Sequence, residues 1–239
     1  MNIFISFSGT AREDFAIKFL NFFNEFGLHC WYDQHELFLG DNLKNTIIND
    51  GIEAADYCIL IINESYLNRS WPCEEAKKLY EKLEVKKNNV IFPILLDITK
   101  EDVKNSKVNF LLNIKYQFLH TGDTINAIGL QILNRIFHDI ATQYKFQTIN
   151  DALNYFKRFT LTSRIDIYNA LNVVNNFDNT NYKDRTIILT CLTNLFNNNP
   201  YKKTINKISY FIYENEIISF DMYKIVESIF LINASIFVV

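Results

Sequence analysis

Glycine and proline are scarce in this 239-residue chain, with 6 Gly and 3 Pro against 21 Phe and 13 Tyr. So few breakers exclude a loop-built or low-complexity protein and point to helices joined by short connections. An excess of one charge is lacking as well. Lys and Arg number 24 and Asp and Glu 27, a formal net charge of −3, which leaves no basic surplus for neutralising nucleic-acid phosphates. Apolar residues at 49% and charged residues at 21% exclude intrinsic disorder. The apolar run near the end, residues 229–239, is too short to span a bilayer and contains Asn233. The cysteines (30, 58, 73, 191) form no CxxC pair, and the histidines (29, 35, 120, 138) form no metal-binding spacing. Residues 1–9 have neither a basic n-region nor a cleavage site, so no signal peptide is expected. The chain reads as a cytoplasmic protein with reduced, mostly buried thiols, no cofactor and no metal.

What is present is a regular alternation of strand and helix patterns. Strands are expected at residues 2–7, 28–32, 57–62, 90–96 and 116–119. Phe15, Phe19, Leu20, Phe22, Phe23 and Phe26 recur at helical spacing until Gly27 stops the helix. Further helices are expected at 42–55, 70–87 and 124–145. Five strands separated by helices imply right-handed βαβ units and a parallel sheet covered on both faces. Residues 57–62 (YCILII) have the continuous apolar character of a fully buried strand. Ligands in such sheets bind outside the carboxyl ends of the strands, which directs attention to 8–10, 33–41, 63–71, Asp97 and His120. After about residue 146 there is no glycine and asparagine becomes frequent. Helical patterns at 148–176, 183–197, 201–215 and 219–237 suggest a second, smaller, all-helical domain. The expected division is therefore an α/β domain over 1–145 and a helical domain of unknown role over 146–239.

Residues 63–75 (NESYLNRSWPCEE) carry the most chemistry. Ser70 suits a helix N-cap, and Pro72 suits a first turn, where its missing N–H does no harm. At 100° per residue, Ala76, Leu79, Tyr80 and Leu83 share a buried face. Glu74 then points to solvent, and Glu75 falls on the flank one turn from Trp71. A carboxylate near a helix start is favoured in its ionised form by the macrodipole, so both acids could simply complement the dipole. The other reading is chemical. A nicotinamide leaves as a neutral base and needs no general acid, so one carboxylate that binds the ribose hydroxyls and stabilises an oxocarbenium-like centre would suffice. Residues 6–10 (SFSGT) could cradle a phosphate, although a plain strand-to-helix turn is the better reading of so short a match. Cys73 with His35 or His120 is a conceivable nucleophile pair, against the commoner role of a packed thiol.

In order along the chain, these segments resemble a TIR (Toll/interleukin-1 receptor) domain of the enzymatic plant and bacterial branch. The resemblance rests on Asn2–Ser8 (NIFISFS), Asp33–Leu43 (DQHELFLGDNL), Asp56–Tyr66 (DYCILIINESY), Ser70–Trp71 with Glu75, and Phe92–Asp97 (FPILLD). It covers about residues 1–145 and implies a flavodoxin-like sheet. It also implies cleavage of NAD+ as substrate, by hydrolysis to ADP-ribose or cyclisation to an isomer. Glu75 falls on the family's catalytic position, and Trp71 lines the same pocket. Phe7, Ser8, Gly9 and Asp33 match substrate-proximal regions. Ser8 replaces a basic residue common in plant members, and Pro72-Cys73 alters the usual sequence between Trp and Glu. The resemblance further implies homo-oligomerisation through the loop at 33–43 and a role in bacterial antiviral defence or immune signalling. A protein partner for the helical tail is also expected, whereas no nucleic acid or membrane is. The alternatives are a non-enzymatic TIR adaptor and a flavin-binding flavodoxin-like domain.

Overall fold

The computed structural model describes residues 1–9, 11, 15–31, 51–86, 90–159, 165–214 and 217–238. The chain divides into two compact units, Met1–Ile128 and Gly129–Val239. The compositional change near residue 146 lies one helix later than this division.

The first unit is a parallel five-stranded sheet with strand order β2-β1-β3-β4-β5. Its strands are β1 (Ile3–Ser6), β2 (Cys30–Trp31), β3 (Tyr57–Ile62), β4 (Val90–Leu96) and β5 (Gln117–Leu119). Central β3 is buried at every position, as its unbroken apolar run requires, because helices cover both faces of a parallel sheet. Helix α1 (Ile17–Glu25) buries Phe19, Phe22 and Phe23. It ends where expected. Gly27 takes a positive φ of 84°, its N–H donates to the Asn24 carbonyl at 3.0 Å, and the Leu28 N–H reaches the Phe23 carbonyl at 2.9 Å, a Schellman closure.

Three short elements fall where the sequence suggests loop. They are α2 (Glu64–Asn68), α4 (Lys100–Lys104) and a 3₁₀ turn (Asn109–Asn113). Local side-chain caps sustain the first two. Asn63 accepts from the Tyr66 N–H, and Thr99 forms a capping box with Asp102. Between α2 and α4 lies α3 (Ser70–Lys86). The helix expected at 42–55 falls largely outside the described residues.

Helix α5 (Asn126–Ala141) begins in the first unit and runs into the second. The second unit contains α6 (Ile149–Phe156), α7 (Ile165–Asn176), α8 (Tyr182–Asn194), α9 (Lys202–Tyr213) and α10 (Phe220–Phe237). The single pattern expected over 148–176 is thus two helices. Helix α10 is buried from Met222 to Ser235 on almost every side, as a helix apolar all round must be. Several of its buried polar groups are paired. Tyr223 donates to Glu227 at 2.9 Å, Asn233 donates to the Ile229 carbonyl at 2.8 Å, and Ser235 accepts from the Phe146 N–H at 3.0 Å. Among the described residues, no helix is long and apolar enough to cross a membrane.

Candidate active site

The strand order reverses between β1 and β3, and a crevice outside the carboxyl ends of those strands is where doubly wound sheets bind ligands. Ser6 is the last residue of β1, and Asn63 follows the last residue of β3. Helices α2 and α3 leave the same end, so β1, α2 and α3 meet there.

Glu75 is the chemical centre of this meeting. Helix α3 starts at Ser70, so Pro72 lies in its first turn while Glu75 lies in the second. The macrodipole acts mainly within the first turn, so the reading of Glu75 as a dipole-complementing charge loses its main support. Glu74 is exposed, as the helical wheel expects, and Glu75, expected on the flank, is only 7% exposed. A carboxylate this shielded from water must be hydrogen-bonded to be tolerated. The Ser6 hydroxyl supplies one bond, donating to Glu75 Oε2 at 2.7 Å. Tyr66 of α2, fully buried, brings its hydroxyl to 3.1 Å from Ser6 Oγ. Ser6 has a single hydroxyl proton and gives it to Glu75, so Tyr66 is the donor in the second bond. Burial, and then the negative charge of Glu75, pushes the Tyr66 phenol well above its ordinary pKa, which keeps that proton in place.

The β1 exit is tied to the start of α2. The Ser8 hydroxyl lies 3.1 Å from the Ser65 hydroxyl, and Asn63 Nδ2 donates to the Ser8 carbonyl at 3.3 Å. Gly9 follows with a φ of +61°, and a Cβ there would lie 2.9 Å from Ser65 Oγ, so a bare backbone is needed at this turn. The expected site residues therefore separate. Ser8 is buried, Phe7 is half-buried and Gly9 is exposed, all on the β1 exit. Trp71 is half-buried one turn before Glu75 and packs against the apolar cluster that includes Cys58, Leu60 and Ile62 of β3 and Ala76 and Leu79 of α3. Asp33 and the loop at 33–43 lie outside the described residues.

Ser6 and Tyr66, as partners of Glu75, were not singled out by sequence reasoning. The available signal was a serine ending a buried strand beside the switch point. Its partner lies 69 residues away, beyond any local pattern.

The Cys73 alternative is disfavoured. Its thiol is buried, points to the Tyr66 carbonyl at 3.5 Å, and is pushed up in pKa by that burial. A thiol so placed resists becoming the thiolate that nucleophilic attack needs. Among the described residues, no group of His, Cys, Asp and Glu side chains could hold a metal. A separate open cleft of about 590 Å³ lies at the exits of β3 and β4, lined by Glu64, Leu67, Asp97, Asp102 and Lys107 among others. Glu75 is not part of its wall, so the cleft and the buried carboxylate are different features.

Comparison with known proteins gives a consistent picture. The family model for the TIR domain matches residues 3–132. The chain is 32% identical over 103 residues to the probable 2' cyclic ADP-D-ribose synthase TcpO of Methanobrevibacter olleyae, covering 43% of this chain and 29% of that protein. It is 33% identical over 104 residues to the NAD(+) hydrolase TcpA of a Theionarchaea archaeon, covering 44% and 31%. It is 31% identical over 102 residues to the 2' cyclic ADP-D-ribose synthase BtTIR of Bacteroides thetaiotaomicron, covering 43% and 35%. The matched stretch is about a third of the length of each relative. Among solved structures, the TIR domains of the activated Roq1 resistosome match with 22% identity and a TM-score of 0.47, over 56% of this chain and 98% of that one.

Proposed function

The chain belongs to the TIR domain family, and from that premise we propose that it cleaves NAD+ at the nicotinamide–ribose bond with Glu75 as the reacting carboxylate. In this reaction the C1′–N bond breaks, and its electron pair departs with a neutral nicotinamide. The positive charge left on the ribosyl ring is met by the Glu75 carboxylate, whose effect is strengthened by exclusion of water. Water then captures the ring to give ADP-ribose and a proton. Alternatively, a nucleophilic atom within the same molecule captures it to give a cyclic isomer. Relatives named for hydrolysis and for cyclisation support the reaction class and leave both outcomes in it.

The observation that carries the reading is the buried Glu75 carboxylate, which accepts the Ser6 hydroxyl at the carboxyl end of β1. Trp71 offers an apolar wall for a flat ring beside it. Assembly of several copies through residues 33–43, and a role in antiviral defence or immune signalling, belong to the same proposal. The test is to incubate the full chain at high concentration with NAD+ and resolve nicotinamide, ADP-ribose and cyclic products chromatographically. Release by the wild type that Glu75→Ala abolishes supports the reading. No release by the wild type, or equal release by the variant, overturns it and favours a non-enzymatic adaptor.

A further inference from the structure

We infer that Tyr66 and Ser6 form a hydrogen-bonded relay that orients the Glu75 carboxylate for reaction, with Ser6 bonded to it directly and Tyr66 bonded to it through Ser6. The inference rests on the proposed NAD+ cleavage and concerns residues that hold the carboxylate rather than touch substrate. Three elements distant in sequence converge on this relay: β1 through Ser6, α2 through Tyr66 and α3 through Glu75. The separations are 60 residues for Ser6–Tyr66 and 69 for Ser6–Glu75. All three side chains are at least nine-tenths buried.

The direction of the relay is fixed by chemistry. A carboxylate only accepts, so Ser6 must give it the hydroxyl proton, and the Ser6 oxygen then needs a donor that stays protonated. Tyr66 meets that need, because its phenol ionises only well above the ordinary range. Tyr66 is placed by the local cap in turn, its N–H bound by Asn63 Oδ1 at 2.9 Å. A buried polar chain of this kind is costly if any link is missing. An apolar strand end would be simpler for the fold alone, which is the signature expected where function overrides packing.

Orientation predicts a specific kinetic pattern. Loss of a positioning contact at the reacting group lowers kcat more than it raises KM. The measurement is steady-state NAD+ turnover by the full chain, with unfolding midpoints as a check on folding, for wild type, Ser6→Ala, Tyr66→Phe, the double variant and Glu75→Ala. Ser6→Ala is expected to lower kcat about 10- to 100-fold with KM changed by less than about threefold. Tyr66→Phe keeps the ring and is expected to lower kcat by a smaller factor, about 3- to 10-fold. In the Ser6→Ala background, Tyr66→Phe is expected to add almost nothing, because the relay is already broken.

Several results overturn the relay while leaving the proposed reaction standing. These are wild-type kcat in Ser6→Ala with Glu75→Ala inactive, a change confined to KM, or full multiplicative effects in the double variant. If Ser6→Ala does not fold, a Tyr66→Phe chain that folds and turns over at the wild-type kcat overturns the relay alone. A wild-type chain that releases no nicotinamide overturns both.

Discussion

The side-chain amide of Asn63 donates to the backbone carbonyl of Ser8 at 3.3 Å, joining the exits of β3 and β1. The same side chain caps α2 through its oxygen, which accepts the Tyr66 N–H at 2.9 Å. One residue therefore ties the exit of β1 to the start of α2, the elements that carry Ser6 and Tyr66. Asn63→Ala removes both bonds and is expected to cost about 1–2 kcal/mol in urea unfolding. Asn63→Asp keeps the capping oxygen but puts a charged acceptor against the Ser8 carbonyl in place of the amide donor. It is expected to keep the cap's share of the stability while weakening the link to β1 and lowering nicotinamide release. Equal stability of the alanine variant and wild type would show that the cap contributes nothing.

Gly9 supplies a second constraint on the same exit. Its φ of +61° is a left-handed conformation, and the added methyl of an alanine would meet Ser65 Oγ at 2.9 Å. Gly9→Ala is expected to destabilise the fold by about 1–2 kcal/mol from the backbone conformation alone. Displacement of the Ser65 hydroxyl comes in addition. Because Ser65 is hydrogen-bonded to Ser8, the variant is also expected to weaken turnover. Unchanged unfolding midpoint and unchanged turnover together would remove Gly9 from any role at the site.

The thiols offer a test that needs no substrate. Cys30, Cys58 and Cys73 are buried and Cys191 is exposed, as the expectation of mostly buried thiols allows. Native protein is expected to take up iodoacetamide at Cys191 alone, and at all four cysteines after unfolding. Fast labelling of Cys73 in the native state, read by peptide mass, would reopen the nucleophile that its burial argues against.

Burial of two of these thiols also fixes a dependence on pH. It pushes both Cys30 and Cys58 from 9.0 up to about 12. An acid whose folded pKa is raised keeps its proton longer when folded, so the unfolded state binds fewer protons between pH 9 and 12. Stability is therefore complete below about pH 9 and falls as pH rises, by roughly 1.4 kcal/mol per unit for each cysteine. Urea midpoints at pH 8 and pH 10 check this, with Cys30→Ala/Cys58→Ala expected to flatten the slope. Identical slopes in variant and wild type would show that the thiols are not the cause.

Much of this fold is legible because its strongest signals are local. The apolar runs of β3 and β4 give both strands with their ends, and the phenylalanine spacing with Gly27 gives α1 and its closure. The exposure of Glu74 follows from helical geometry, which puts Glu75 only on the flank of the buried face; its full burial depends on what packs over α3. Other features are set by pairings that a local pattern does not carry. Helix α2 has five residues and exists because Asn63 caps it and Tyr66 is anchored in the core. Glu75 is separated from dipole-complementing acids only by the start of α3 at Ser70, which the sequence leaves open by a residue or two. Ser6 looks like part of a phosphate turn until the crossover brings α3 over it.

Lys82 shows how far such a long-range pairing can reach. Its side chain is 9% exposed, and its ammonium donates to the carbonyls of Ile52 at 2.7 Å, Glu53 at 2.6 Å and Ala55 at 3.0 Å. These carbonyls converge on one point just before β3, in the manner of groups left over at a helix end. A compact ammonium with three donors suits a threefold convergence, whereas a planar guanidinium presents its donors in a flat fork. Lys82→Met keeps the stem and removes the donors. It is expected to cost about 2–4 kcal/mol, given that hydrogen bonds from a charged group each contribute more than neutral ones. Lys82→Arg is expected to recover less than half of that loss. Amide exchange at residues 53–57 should rise in both variants, because the segment entering β3 loses its anchor. Full recovery by arginine would mean that charge alone, without the geometry of the three carbonyls, holds this corner of the sheet.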